Sequence, residues 1–515
     1  MARSVSKRLT ISGILRAIQP LHVGGMADSV ETDMPLAKNG MGELYIPGTS
    51  LAGVFRAWME RFFSNVDVLE NFWGSQQHDS ASRILVEDAK VFIPDKLSEE
   101  LWENISVDRR WGVTAEHQKF DYTVLPKGST FPLCLYLELP PIELANTMRA
   151  MLGHLVKALQ AGQIRLGAGT SRGLGQIILD APQLCEVDWH QKASVLNYLS
   201  DKLESRELDG NTLIEKAVLP LVCRHPDILH VTIDWAPIGP LMVKTTYDGI
   251  AVDTLPFVSG VAADKVALIL PGSSLKGALR TQAERIIRTV LNHRNLSRDW
   301  SAQLEVPLVE PLFGGAKKAA KKNSRYMPGR GCFSVNTCYA KNAVCSTQQW
   351  QEIETAQSPG MINSLYESLN RAGLRDSPFF EQAYHLAVDR WTGGAADGFL
   401  YSVIEPFDVQ WEPIEISLDL SEDRFPPELQ SPALTLLLLL LHDMADRRIA
   451  IGFGVNRGYG VVGVKNISFE WEKVGNMAPY HWLDGISLAP PFSLEQLPEI
   501  KSLQNDWLSF ISRLN

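Results

Sequence analysis

Two aspartates sit close together in a loop of this 515-residue chain, Asp28 and Asp33, and the same arrangement recurs in register further on as Asp248 and Asp253. A carboxylate beside a phosphodiester can ligate a divalent cation that offsets phosphate charge, or assist proton transfer from a 2′-hydroxyl. Loop carboxylates are more often turn formers or solvated charges. Recurrence at matched positions is what singles these out. His22, just before the first pair, has the chemistry of a general base or phosphate ligand, but its counterpart is Met242, so a reaction common to both copies does not use it.

A second set of residues suits phosphate binding. Gly167-Ala168-Gly169-Thr170-Ser171-Arg172-Gly173 is matched by Gly452-Phe453-Gly454-Val455-Asn456-Arg457-Gly458. Neither phrase opens a βαβ unit with a ribose-binding acid, and neither holds the Lys-Ser/Thr of a P-loop, which argues against a mononucleotide site. Glycines permit close backbone approach to a phosphate and the arginine adds a fixed charge, which fits a polynucleotide backbone; a tight turn packed for steric reasons would need the same glycines. The third pair of phrases is Pro47-Gly48-Thr49-Ser50-Leu51, followed by Arg56, and Pro271-Gly272-Ser273-Ser274-Leu275-Lys276, followed by Arg280. Ser50 and Ser274, or the residue before each, are natural N-caps, and unpaired N–H groups at such a helix start, with Arg56, Lys276 and Arg280 near, can donate to phosphate oxygens.

The elements that must position these residues repeat as well. Each copy opens with an alternating strand, Leu9 and Ile11 in the first and Leu229 to Trp235 in the second; a long loop then carries the aspartates. Leu51, Val54, Phe55, Trp58, Met59 and Phe62 recur with helical spacing, as do Leu275, Ala278, Leu279, Ala283, Ile286, Ile287 and Val290, which predicts two core-facing helices. Strands follow, then loops holding Arg110-Trp111 and Arg390-Trp391, a second helix, and the glycine-spaced phrase. Landmarks in unbroken order mean one fold duplicated and fused. The expected class is α+β, with a first domain over 1–210, a second over 211–475 carrying insertions near 317–330 and 340–384, and a Pro-rich tail over 476–515 ending in an amphipathic helix.

Composition agrees with a globular protein: 45% apolar and 21% charged residues, with a net charge of −10 that argues against a generic electrostatic nucleic-acid binder but leaves room for a local basic track. The basic run Lys317 to Arg325 reads as a solvated loop. Six scattered cysteines lack metal-ligand spacing and suit reduced thiols in the cytoplasm, and the apolar run Leu436 to Leu441 is too short to cross a bilayer.

Taken together, Leu21-His22-Val23-Gly24-Gly25, Asp33-Met34-Pro35, the helix-start phrases, the closing glycine phrases and Val388-Asp389-Arg390-Trp391-Thr392-Gly393 resemble the RAMP superfamily, and more narrowly the Cas-seven backbone subunits of type III CRISPR effector complexes. Two fused copies are similar to type III-D arrangements. The resemblance implies a repeated RRM-like, ferredoxin-like core that binds guide CRISPR RNA and cuts the paired target RNA at regular intervals. Partners are then the guide, the target, further backbone subunits and a large subunit. It also implies that a loop aspartate acts at the scissile phosphate with a divalent cation, Mg2+, and the matching positions are Asp33 and Asp253. The family's Asp-x-Pro is kept at Asp33-Met34-Pro35 but reads Asp253-Thr254-Leu255-Pro256 in the second copy, one residue longer; the helix-start lysine is kept as Lys276 but is Ala52 in the first copy, so guide contacts there rest more on Arg56. The rival readings are a non-catalytic scaffold, a histidine-centred guide-processing enzyme, which the lone His22 disfavours, and a small-molecule module without RNA.

Overall fold

The computed structural model describes residues 5–26, 32–75, 80–140, 143–214, 223–224, 226–245, 249–293, 296–315, 329–341, 345–358, 360–362, 379–472 and 480–514. Asp28, Asp248, the run Lys317 to Arg325 and most of the expected insertion near 317–330 lie outside these residues.

Each repeat is built on a five-stranded antiparallel sheet. In the first, the spatial order is Ile84–Val86, Thr130–Leu139, Lys7–Ala17, Ile177–Asp188, Arg206–Glu207; in the second it is Phe333–Val335, Ile414–Asp419, Ile228–Pro237, Val462–Trp471, Ser487–Leu488. Setting aside the last edge strand, both follow strand, helix, strand, strand, helix, strand with the opening strand in the middle, the ferredoxin-like arrangement. Alternation places the opening strands. Leu9, Ile11, Leu15 and Ala17 of the first are buried, as are Leu229, Val231, Ile233 and Trp235 of the second, while the intervening residues face outward.

The helices Gly48–Phe62 and Gly272–Val290 bury the predicted stripes, Leu51, Phe55 and Met59 in one and Leu275, Leu279, Ala283 and Ile287 in the other. The apolar run Leu436 to Leu441 lies inside the helix Pro427–Ala445. Residues after the second repeat join its core: Leu503, Phe510 and Ile511 of the terminal helix Ile500–Leu514 are buried there, and the Ser431 hydroxyl donates to Asp506 at 2.6 Å.

The repeats do not merely follow one another. A hairpin of the first, Glu100–Val107 paired with Thr114–Val124, leaves its own sheet and lies on the second repeat. There Trp102, Tyr122, Val124 and Leu174 pack with Ile269 and Tyr339 in a small separate core. Each fully buried large apolar side chain stabilises by roughly 2 kcal/mol, so this patch alone favours a fixed seam. Glu100 Oε1 accepts from the N–H of Gly260 (2.7 Å) and the Ser259 hydroxyl (3.1 Å) across it. In the matching hairpin of the second repeat, Phe379–Val388 with Ala395–Phe407, the side chains of Tyr384, Leu386, Phe399 and Leu400 are exposed.

Candidate nucleic-acid interface

The aspartate loops are held in the same way in both repeats. In the first, the N–H of Ala37 donates to Val23 O (2.9 Å) and that of Gly25 to Pro35 O (2.9 Å); in the second, Phe257 donates to Val243 O (2.7 Å) and Thr245 to Leu255 O (3.0 Å). Leu255 therefore takes the place of Pro35, and the second loop is not longer: its proline has moved by one position inside a bracket of equal length. That corrects the expectation drawn from Asp253-Thr254-Leu255-Pro256.

Each loop also bridges to the hairpin of its own repeat, Met34 beside Tyr122 and Thr254 beside Val403, both parallel. Asp33 accepts at Oδ2 from the N–H of Asp121 (3.1 Å), while Asp121 Oδ1 accepts from the N–H of Asp33 (2.7 Å) and the Thr32 hydroxyl (2.8 Å). Asp253 Oδ2 accepts from the N–H (2.8 Å) and hydroxyl (3.0 Å) of Ser402. Asp33 and Asp253 are both solvent-exposed. Asp121 and Ser402 gave no signal in the sequence, because hairpin register alone brings them opposite the loops.

The donor set bears on a metal. Among the described residues no group of three or more His, Cys, Asp and Glu could hold an ion. Asp33 with Asp121, or Asp253 alone, fits only a cation whose remaining ligands are water and phosphate oxygens, which is how Mg2+ is commonly bound.

His22 is only 4% exposed. Its Nδ1 donates to Thr123 O at 2.6 Å and its ring meets Tyr122 edge-on, which braces the loop against the hairpin. Burial pushes its pKa below the usual value, partly opposed by the bond to Thr123. An RNA-facing role for His22 is corrected to a packing one.

The helix starts differ from the expectation too. The N-caps are Pro47 and Pro271, without side-chain cap bonds, rather than Ser50, Ser274 or the residue before each. The N–H of Gly48 donates to Asp88 Oδ1 (2.7 Å) and that of Gly272 to Thr337 Oγ1 (3.3 Å), while Ser50 and Leu51 donate to Pro47 O, and Ser274 and Leu275 to Pro271 O. Most of the donors thought to await a phosphate are thus already used.

Lys276 is corrected for the same reason. It is 7% exposed, and its ammonium donates to Phe333 O (2.7 Å) and to the Ser171 hydroxyl (3.1 Å) of the first repeat's closing loop. Burial, together with the charges of Arg172, Arg280 and Arg330, pulls its pKa down to about 7. Arg280 is turned inward to Glu284 (2.9 Å) and Gly314 O (2.8 Å). Arg56 stays at the surface, paired with Glu60 at 2.7 Å.

Both closing loops are single 3-10 turns, Thr170–Arg172 and Val455–Arg457, each between two left-handed glycines, Gly169 and Gly173, Gly454 and Gly458. A Cβ on Gly167 would lie 2.0 Å from His22 O, and one on Gly452 would lie 2.3 Å from Met242 O, so these glycines serve a close approach to the chain's own backbone. The two loops then part company. A Cβ on Gly173 would lie 2.4 Å from Thr337 N of the second repeat, whereas no atom of the described residues lies within 4 Å of one on Gly458. Ser171 is spent on the seam, while Asn456 and Arg457 are exposed. The Arg457 guanidinium lies over the rings of Phe453 (4.9 Å) and Tyr401 (5.5 Å).

The hairpin tips also carry solvent-facing aromatics. Asp108 Oδ1 accepts from the N–H groups of Arg110 and Trp111, and Asp389 Oδ1 from those of Trp391 and Thr392. Matching Asp108 and Gly112 to Asp389 and Gly393 puts the tryptophan one position earlier in the second tip, a shift the Arg-Trp match in the sequence conceals. Trp111 is 69% exposed and Trp391 95%. Arg110 lies over Trp111 at 5.0 Å, and an exposed indole with a guanidinium is a surface on which a base can stack.

No described helix is long and apolar enough to cross a membrane. No curated protein matches the chain. The family profile that does match is that of the RAMP superfamily, over residues 14–178 and 266–463, one segment in each structural repeat and together well over half of the chain. The chain therefore belongs to the RAMP superfamily, whose members are RNA-binding subunits associated with CRISPR systems, some of which cleave RNA.

Proposed function

We propose that this chain is a backbone subunit of a type III CRISPR effector complex in the cytoplasm, that it holds guide RNA along both repeats, and that it cuts the paired target RNA once per repeat, beside Asp33 and beside Asp253. The observation that carries this reading is the matched support of the two exposed carboxylates: the same backbone bracket and the same parallel bridge to a hairpin hold each one. Evolutionary duplication alone would preserve the fold. It would not require an exposed aspartate to be pinned in the same place twice.

In this reading Asp33 and Asp253 orient toward a phosphodiester of the target, and Arg457 and Arg56 lie among the exposed charges available to backbone phosphates. The exposed Trp111 and Trp391 suit stacking on bases, and sequence is read by pairing with the guide. A divalent cation shared by the carboxylate and phosphate oxygens would offset charge at the cut. The open second closing loop, whose counterpart grips Gly272 and Thr337 in the seam, fits the helix start of a further backbone subunit.

A second reading is favoured by the sparse donor set: with no three-ligand group among the described residues, the chain would be a guide-binding scaffold while other subunits cut. Purifying the assembled complex, sequencing its copurifying RNA and supplying end-labelled complementary target separates the two. Guide RNA with two target cuts assigned to this chain supports the first; guide RNA with no cut sensitive to Asp33 or Asp253 supports the second; absence of RNA after full assembly ends both.

A further inference from the structure

Where the tip of the first hairpin meets the helix Gly272–Val290, a cleft of about 520 Å³ opens, lined by Arg109, Arg285, Arg288 and His293 with Thr281 and Thr289 and, among the described residues, by no carboxylate. In a chain of net charge −10, this concentration of cationic side chains demands an account. Helical spacing produces half of it. Thr281, Arg285, Arg288 and Thr289 follow one another at i, i+4, i+7 and i+8 and so share one face.

Behind the cleft lies Glu284, with 0% exposure. Its Oε2 accepts from Arg109 Nε (2.8 Å), its Oε1 from Arg280 Nε (2.9 Å), and Arg288 Nη1 lies 3.6 Å from Oε2. One carboxylate faces three guanidiniums. The other acid at this tip, Asp108, is occupied by the Gln303 amide (3.2 Å) and by the N–H groups of Arg110 and Trp111. Arg285 is exposed and forms no ion pair among the described residues, and His293 beside it is exposed too. The Thr281 and Thr289 hydroxyls donate to helix carbonyls (2.9 and 2.7 Å), Arg109 also donates from Nη1 to Val107 O, and Arg288 from Nη2 to Gln303 O, so the exposed donors that face the cleft are the Arg285 guanidinium and the His293 imidazole.

We infer that this cleft is a phosphate site on the seam, with the exposed Arg285 and His293 as its direct donors and the charges of Arg109 and Arg288, tied to Glu284 behind it, adding to its field. Planar guanidinium forks match phosphate oxygens two at a time, and the volume admits a ligand of nucleotide size. The ligand chemistry is a cluster of phosphate oxygens, and its source is either the backbone of a single-stranded RNA crossing the seam or the phosphate chain of a free nucleotide. The site is distinct from the aspartate loops: Val107 and Thr114 close the tip end of the hairpin, whereas Asp121 pairs further down it with Glu103.

The test uses the full chain, stripped of copurifying nucleic acid at high salt, with inorganic tripolyphosphate and a short labelled single-stranded RNA as separate probes. Arg285→Glu is the main variant because the side chain is exposed, and Arg285→Lys keeps the charge but not the fork. Unliganded melting should be unchanged in both. Tripolyphosphate and RNA should each bind wild type, and Arg285→Glu should weaken at least one by about tenfold, the size of one lost charge-assisted contact, with Arg285→Lys between. Loss of tripolyphosphate binding identifies a free phosphate chain as ligand, even if the chain proves not to bind RNA. Loss confined to RNA identifies the backbone. If neither probe distinguishes Arg285→Glu from wild type, the inference is wrong.

Discussion

Asp33 and Asp121 hold each other by exchange: each carboxylate accepts the other's backbone N–H, at 3.1 and 2.7 Å. The bond ties a loop to a hairpin from a distant part of the chain and leaves two carboxylates side by side at the surface. In the second repeat the partner is Ser402, which offers a hydroxyl instead. The two proposed cutting sites are thus alike in backbone and unlike in charge.

That difference sets the first prediction. Asp33→Ala should remove one target product, Asp253→Ala the other, each with a rate loss on the order of 10²–10⁴ if the carboxylate assists proton transfer. Target binding should survive, and the two effects should be independent because the sites share no partner. Chelation should stop both cuts. Asp121→Asn should slow only the Asp33 cut, and weaken its response to added Mg2+, because the described hairpin partner of Asp253 is Ser402 and not a carboxylate. Denaturing gels of end-labelled target read all of these; a full product set from the double variant moves cutting to another subunit.

Lys276 supplies a pH test of the seam. Its pKa is lowered to about 7 in the folded chain and stands near 10.4 when unfolded. Between these values the unfolded chain binds more protons, so stability from this group is lowest below about pH 7 and recovers as pH rises toward 10. Lys276→Met cannot titrate. The stability of wild type relative to this variant should therefore climb from pH 6.5 to pH 9, measured by urea midpoints at each pH, and a constant difference would show that the ammonium is not buried in solution.

Gly173 and Gly458 have nearly the same backbone, φ of 86° and 90°, and different surroundings. Alanine at either costs about 1–2 kcal/mol for the left-handed conformation. Only Gly173→Ala also drives a Cβ into Thr337, so it should lower the melting midpoint of the isolated chain by more than Gly458→Ala does. In an assembled complex the order can reverse for subunit retention, since the open loop at Gly458 is the one available to a neighbour. Melting curves and size-exclusion profiles check the two halves.

Arg457 is exposed over Phe453 and Tyr401, and Arg457→Ala should weaken RNA retention across sequences while flattening the log-log salt dependence by about one unit. Far-ultraviolet circular dichroism should not change. An unaltered salt slope would make the arginine a cover for the two rings and nothing more.

The sequence by itself determined the duplication, the α+β class, the alternating strands at Leu9 to Ala17 and Leu229 to Trp235 and the buried faces of both long helices, because periodic burial is a local property written in residue order. It also marked Asp33 and Asp253. Tertiary structure alone decided which groups oppose them, since Asp121 and Ser402 arrive through hairpin register. It decided that the two aspartate loops are of equal length, since backbone bonds and not the position of a proline define where each is fixed. And it decided the fate of Lys276, Arg280 and Ser171. All three belong to phrases that read as phosphate-binding, but a bond across the seam commits Lys276 and Ser171 to each other and Arg280 turns inward to Glu284 and Gly314 O of its own repeat, while Arg457 stays exposed.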